Sequence, residues 1–170
     1  MRIYLPATTT TLRELLESGA VGPAPLTAFA ITPALREWYV DDDVEALEYA
    51  AMVEAARGSL RLIDSDFDAV RRRVVIAADM PDSTVTVRDD LDRGVVQIGE
   101  PVTLAAIASV HADDAEAEAT IATAAESIIA ADLGDDDAQE AVDDAEGFEL
   151  SWYANQEVAT FLAELPPRDP

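Results

Sequence analysis

The stretch Arg71-Arg72-Arg73-Val74-Val75-Ile76-Ala77-Ala78-Asp79 constrains the fold more than any other. Its apolar run, rich in β-branched residues and bounded by charge and by Pro81, reads as a core strand. The strand is entered through the chain's only run of basic residues and left through an aspartate.

Strand and helix alternate ahead of it. Arg2 to Pro6 is a short apolar strand. Thr11 and Glu14 have capping-box spacing for a helix whose Leu12, Leu15 and Leu16 share one face, and Gly19 stops it. Leu26 to Ile31 is a second strand. Thr32 and Pro33 suit the N-cap and first turn of a short helix carrying Leu35, Trp38 and Tyr39. Asp41 to Asp43 break that helix and cap a longer one, which runs to about Ile63. Its apolar stripe is Tyr49, Met52, Val53, Ala56, Leu60 and Ile63, widened by Leu47 and Ala51.

After the core strand the pattern changes. Asp82 to Val87, Val95 to Ile98 and Val102 to His111 read as strands joined by turns, with a turn of helix an alternative near Leu104 to Ile107. A helix is expected from Asp113 to Asp132 and a short acidic one from Asp137 to Ala145. Glu149 to Ala154 suits a last strand. Asn155 caps a terminal helix that turns Val158, Phe161, Leu162 and Leu165 inward. The whole predicts an α/β (α+β) fold in one domain, residues 1–165, ahead of a short flexible tail, 166–170. The sheet is expected to be mixed, with strand–helix units at both ends, hairpins between them and helices packed on it.

The chemistry is bounded chiefly by what the chain lacks. It has no Cys, so disulfides, thiolate catalysis and thiolate zinc sites are excluded. All 11 of its basic residues are Arg, so Schiff-base and P-loop lysine chemistry are excluded too. Gly94 to Gly99 has P-loop glycine spacing, but Glu100 and Pro101 stand where Lys and Ser or Thr are needed. Asp64, Asp66 and Asp68 open like a calcium loop, but Ala69 replaces its glycine and Val75 its closing Glu. One His cannot form a two-His metal site. No metal and no cofactor is expected.

The net charge of −24 repels phosphate backbones and anionic lipid, so neither nucleic acid nor membrane is an expected partner. No stretch approaches the ~18 apolar residues of a membrane span, and a soluble cytoplasmic protein is expected. Genomic composition and halophilic adaptation both account for the missing Lys.

Two sets of candidate site residues emerge. Asp79 and His111 each end a predicted strand at its carboxyl edge, and parallel neighbouring strands would join them in an acid–base dyad. Arg71, Arg72 and Arg73 form a basic patch suited to a phosphate or acidic partner. From Asp113 onward, however, the chain holds 17 acids and one Arg, so its own C-terminal part is the simpler counter-charge. The Trp-Tyr pairs at 38–39 and 152–153 read as packing residues.

The chain resembles a small uncharacterised actinobacterial family, a domain of unknown function. The likeness is carried by Arg2 to Pro6, Gly22 to Tyr39, Leu47 to Ala51, Arg72 to Asp79 and Trp152 to Glu157. It implies a GC-rich source and brings no catalytic motif. The favoured reading is a non-catalytic binding or regulatory module, with a protein partner open. The alternatives are a hydrolase-like or carboxylate-metal enzyme using Asp79 and His111, and an acidic mimic that binds basic partners.

Overall fold

In the computed structural model, which describes residues 1–40 and 42–166, the core strand lies near the middle of a seven-stranded sheet. In chain order the elements are β1 (Arg2–Ala7), α1 (Thr9–Ser18), β2 (Ala20–Val21), β3 (Leu26–Phe29), α2 (Pro33–Trp38), α3 (Val44–Ser65) and β4 (Val74–Asp79). There follow β5 (Val85–Val87), β6 (Val95–Ile98), β7 (Val102–Thr103), β8 (Ile107–Ala112), α4 (Glu118–Asp132), α5 (Asp136–Glu146), β9 (Ser151–Tyr153) and α6 (Val158–Ala163). Asp41 and most of the expected tail lie outside the described residues.

The α+β class holds, and the sheet is antiparallel at every pairing rather than mixed. Its order is β5-β6-β3-β1-β4-β8-β9, with β2 and β7 forming a separate two-stranded ribbon. Strands β3 and β4, joined through α2 and α3, do run in the same direction. They never pair, because β1 lies between them and runs against both.

Side chains alternate across the sheet, and each face has its own cover. Ile3, Leu5 and Ala7 of β1 and Val74, Ile76 and Ala78 of β4 meet α1, α6 and the ribbon in one apolar cluster. Tyr4, Val75 and Ala77 face the other way, onto α3. Helices α4 and α5 pack on the far half of α3, burying Leu60 and Ile63 against Ile121, Ala124, Ile128 and Val142.

Helix α3 meets the sheet through small residues. Leu47, Ala51, Ala55 and Ser59 are buried at four-residue spacing. The Ser59 hydroxyl donates to the Ala7 carbonyl at 2.7 Å and accepts from the Val74 amide at 3.0 Å, stitching α3 to β1 and β4. Gly58 sits where a Cβ would lie 2.8 Å from Pro6 Cγ, so only glycine allows this approach.

The start of α1 departs from the expected cap. Thr8 is the N-cap and Thr11 occupies the third helical position, each satisfying the other's backbone amide. In a run of four threonines each hydroxyl can cap, and the chain turns at the first. The 3₁₀ turn Leu104–Ala106 divides the expected strand Val102–His111 into β7 and β8. Among the described residues no helix is long and apolar enough to cross a membrane.

Candidate functional site

The half of the sheet that α3 leaves uncovered forms the floor of a cleft. A cavity of about 530 Å³ lies between the flank of α3, strands β1, β4, β8 and β9, and the segment that joins α5 to β9. Its size suits a small organic ligand.

The walls combine aromatic surface with unbalanced negative charge. Tyr4, Tyr49, Phe148 and Trp152 supply the rings. Trp152 is 60% exposed and Tyr49 64%, so both stand at the mouth, although Tyr49 was expected in the apolar stripe of its helix and Trp152 as a packing residue. Three arginines line the cavity, and each is already paired: Arg2 with Asp79 at 2.7 Å, Arg57 with Asp132 at 3.1 Å, and Arg73 with Asp113 at 2.8 Å. Glu45, Glu48, Glu146 and Glu149 also line it, and among the described residues none of them has a basic partner.

His111 and Ser109 lie on the floor. Both are on the α3-facing side of β8, and Ser109 Oγ is 2.9 Å from His111 Nε2 in a hydrogen bond. Burial holds the imidazole below its ordinary titration range, and the positive charge of Arg2 adds to the effect. Burial likewise pushes the Tyr4 phenol up, reinforced by the charge of Glu48 and opposed by Arg2. At neutral pH His111 and Tyr4 are therefore both uncharged.

Asp79 is not part of a dyad with His111. Strands β4 and β8 are neighbours but antiparallel, so their carboxyl ends lie at opposite edges of the sheet. His111 is opposite Val75, four residues from Asp79, a run of roughly 13 Å along the strand. The two hydrogen bonds of the Asp79 carboxylate come from Arg2, at 2.7 and 3.1 Å, and they hold its pKa below the usual carboxylate value.

The basic run is engaged within the chain. Arg71 Nη1 donates to the carbonyls of Ile63 and Asp66, both at 3.0 Å, closing the end of α3. Arg72 donates to Glu118 at 2.9 Å and its guanidinium lies over the Phe161 ring. Arg73, 4% exposed, pairs with the fully buried Asp113 and donates to the Phe148 carbonyl at 3.0 Å.

A family model described as a family of unknown function, DUF6912, matches residues 1–162. The chain belongs to this family. No curated protein and no solved structure matches it. The DUF6912 match takes in every residue that lines the cleft.

Sequence reasoning missed Ser109, Tyr49, Trp152 and the four glutamates. One signal was available: Ser109 and His111 are two apart in a predicted strand, so they share a face whichever face is buried.

Proposed function

We propose that the protein is a binding module whose cleft takes a small organic cation with an apolar body, an amine or a quaternary ammonium. The observation that carries this is the charge pairing. Among the described residues, Arg2 and Arg73 each pair with an aspartate of their own and Arg57 shares Asp132 with Arg61, while the four glutamates beside the aromatic rings have no cation. A ligand ammonium would complete that set. Rings such as Trp152 and Tyr49 add roughly 0.5–2 kcal/mol each to a cation held over their faces. The net charge of −24 raises the local concentration of cations and speeds their capture.

Calorimetric titration with benzylamine and benzyltrimethylammonium, against neutral benzyl alcohol, tests the reading. The cations should bind, the alcohol at least about tenfold more weakly, and Glu48→Gln or Trp152→Ala should weaken both cations by a few-fold to about thirtyfold. Equal affinity for the alcohol and the amines would overturn it.

The Ser109–His111 contact favours a second reading. A serine hydroxyl hydrogen-bonded to a neutral imidazole is the nucleophile–base half of an acyl-transfer site. Among the described hydrogen bonds no group holds the other ring nitrogen, which is why binding is preferred. Covalent labelling of Ser109 by an alkyl fluorophosphonate, abolished by His111→Ala, would move the balance to catalysis. An unchanged intact mass would count against it.

A further inference from the structure

The cleft has a twin on the opposite flank of α3. A second cavity, also of about 530 Å³, lies between α3, the α2 segment and the turn before β6. Its aromatic residues are Phe29, Trp38, Tyr39 and Tyr49, and its acids are Glu54, Asp92 and Glu146 against a single Arg93. Trp38 is 61% exposed and carries the Arg93 guanidinium 3.4 Å from its ring centre, so the molecule already holds one cation on an aromatic face here. Burial raises the pKa of Glu54, and the charges of Asp92 and Glu146 reinforce it against Arg57 and Arg61. By its described lining, three acids against Arg93, the second cavity remains short of positive charge.

The two cavities share a wall. Tyr49 and Val53, one turn apart on the outward crest of α3, line both, as does Glu146 at the end of α5. A chain leaving one cavity passes over that crest into the other. Its path runs over the apolar surface of Tyr49 and Val53 with Glu146 beside it, and further acids stand at each end, Glu45, Glu48 and Glu149 in one cavity and Glu54 and Asp92 in the other.

We infer that the ligand is a linear dication, two ammonium or guanidinium groups joined by a flexible apolar spacer, lying across α3 with one charged end in each cavity. The inference rests on the reading of the first cleft as a cation site and extends it to a second charge and a defined length. The aromatic rings at both ends and the alkyl-compatible crest distinguish this from a diffuse acidic surface, which would hold cations without regard to their spacing. Linking the two ends makes the second contact intramolecular, so affinity peaks where the spacer matches the span.

The test is calorimetric titration of the whole protein with straight-chain α,ω-diamines of rising length, each beside the n-alkylamine of the same length. Diamines above a threshold length should bind at least about tenfold more tightly than their monoamines, with an optimum length. Glu54→Gln, which touches the second cavity alone, should bring the best diamine down towards its monoamine and leave the monoamine unchanged. Glu48→Gln should weaken both. Diamines no tighter than monoamines at any length, or a Glu54→Gln variant that weakens the two alike, would overturn the two-cavity inference while leaving the single-cation reading intact. Failure of every amine to bind would overturn both.

Discussion

Removing the Asp113 carboxylate should be among the most damaging single changes this fold can receive. Asp113 is fully buried and accepts three hydrogen bonds from one residue: the backbone amide, Nε and Nη2 of Arg73, all at 2.8 Å. Arg73 is 4% exposed, and among the described residues its one other acceptor is the Phe148 carbonyl at 3.0 Å. Asp113→Ala therefore leaves a guanidinium out of water with no counter-charge, a change that costs about 3–5 kcal/mol. Against a total stability of roughly 5–15 kcal/mol this is about a fifth or more. In a chain of this size it lowers the melting temperature by roughly 6–20 °C.

Urea unfolding, with the free energy extrapolated linearly to water, measures the effect. The decisive comparison is Arg73→Met with Asp113→Ala. With both charges gone, the double variant has no unpaired ion, and its remaining cost is chiefly the Arg73 amide without an acceptor, about 1–3 kcal/mol. It should be more stable than Asp113→Ala alone. A single variant that loses less than about 1 kcal/mol would behave as a surface pair does and would refute the reasoning. So would single effects that simply add in the double variant.

Two further outcomes are expected. Gly58→Ala would gain about 1 kcal/mol in an exposed helix. Here the new Cβ meets Pro6 Cγ at 2.8 Å and Cβ at 3.1 Å, so the variant should instead lose roughly 1–3 kcal/mol, and a raised urea midpoint would contradict the close approach of α3 to β1. Because burial lowers the His111 pKa, the unfolded chain takes up a proton below about pH 6.5 that the folded chain refuses. The stability that neutral His111 contributes is thus complete above that pH and is lost as pH falls towards its lower folded value. His111→Gln should flatten this part of the stability profile, and parallel profiles for the two proteins would show that the imidazole is not shielded.

What was legible in the sequence follows from periodicity, and what was not follows from pairing. Val74 to Ala78 is a core strand, and Thr32 with Pro33 opens α2 where cap chemistry puts it. The alternation of strands and helices suggested a mixed sheet, and β3 and β4 do run the same way. It could not tell that β1 inserts between them, and this long-range choice makes the sheet antiparallel. The same choice separates Asp79 from His111. Within α3 the apolar spacing identified a wide stripe, but not which part of it the sheet covers. The buried line is Leu47, Ala51, Ala55 and Ser59, the last three small enough to let the helix sit close, and this turns Tyr49 outward to the cleft. The charge tally anticipated that the basic run would meet acids from the C-terminal part, as Arg72 with Glu118 and Arg73 with Asp113 illustrate. It could not anticipate that four glutamates in one cavity would have no basic partner among the described residues.

The placing of the two tryptophans has an optical consequence. The chain has two, and the fold stations one at each cavity, Trp152 on the β9 side of α3 and Trp38 on the α2 side. Each indole is more than half exposed, and among the described residues only Trp38 has a guanidinium stacked against it. Their emission therefore reports on two separate places. Trp38→Phe leaves a protein that fluoresces from one cavity, and Trp152→Phe one that fluoresces from the other. Occupancy of either end of the crest by a ligand can then be followed by light alone, one end at a time.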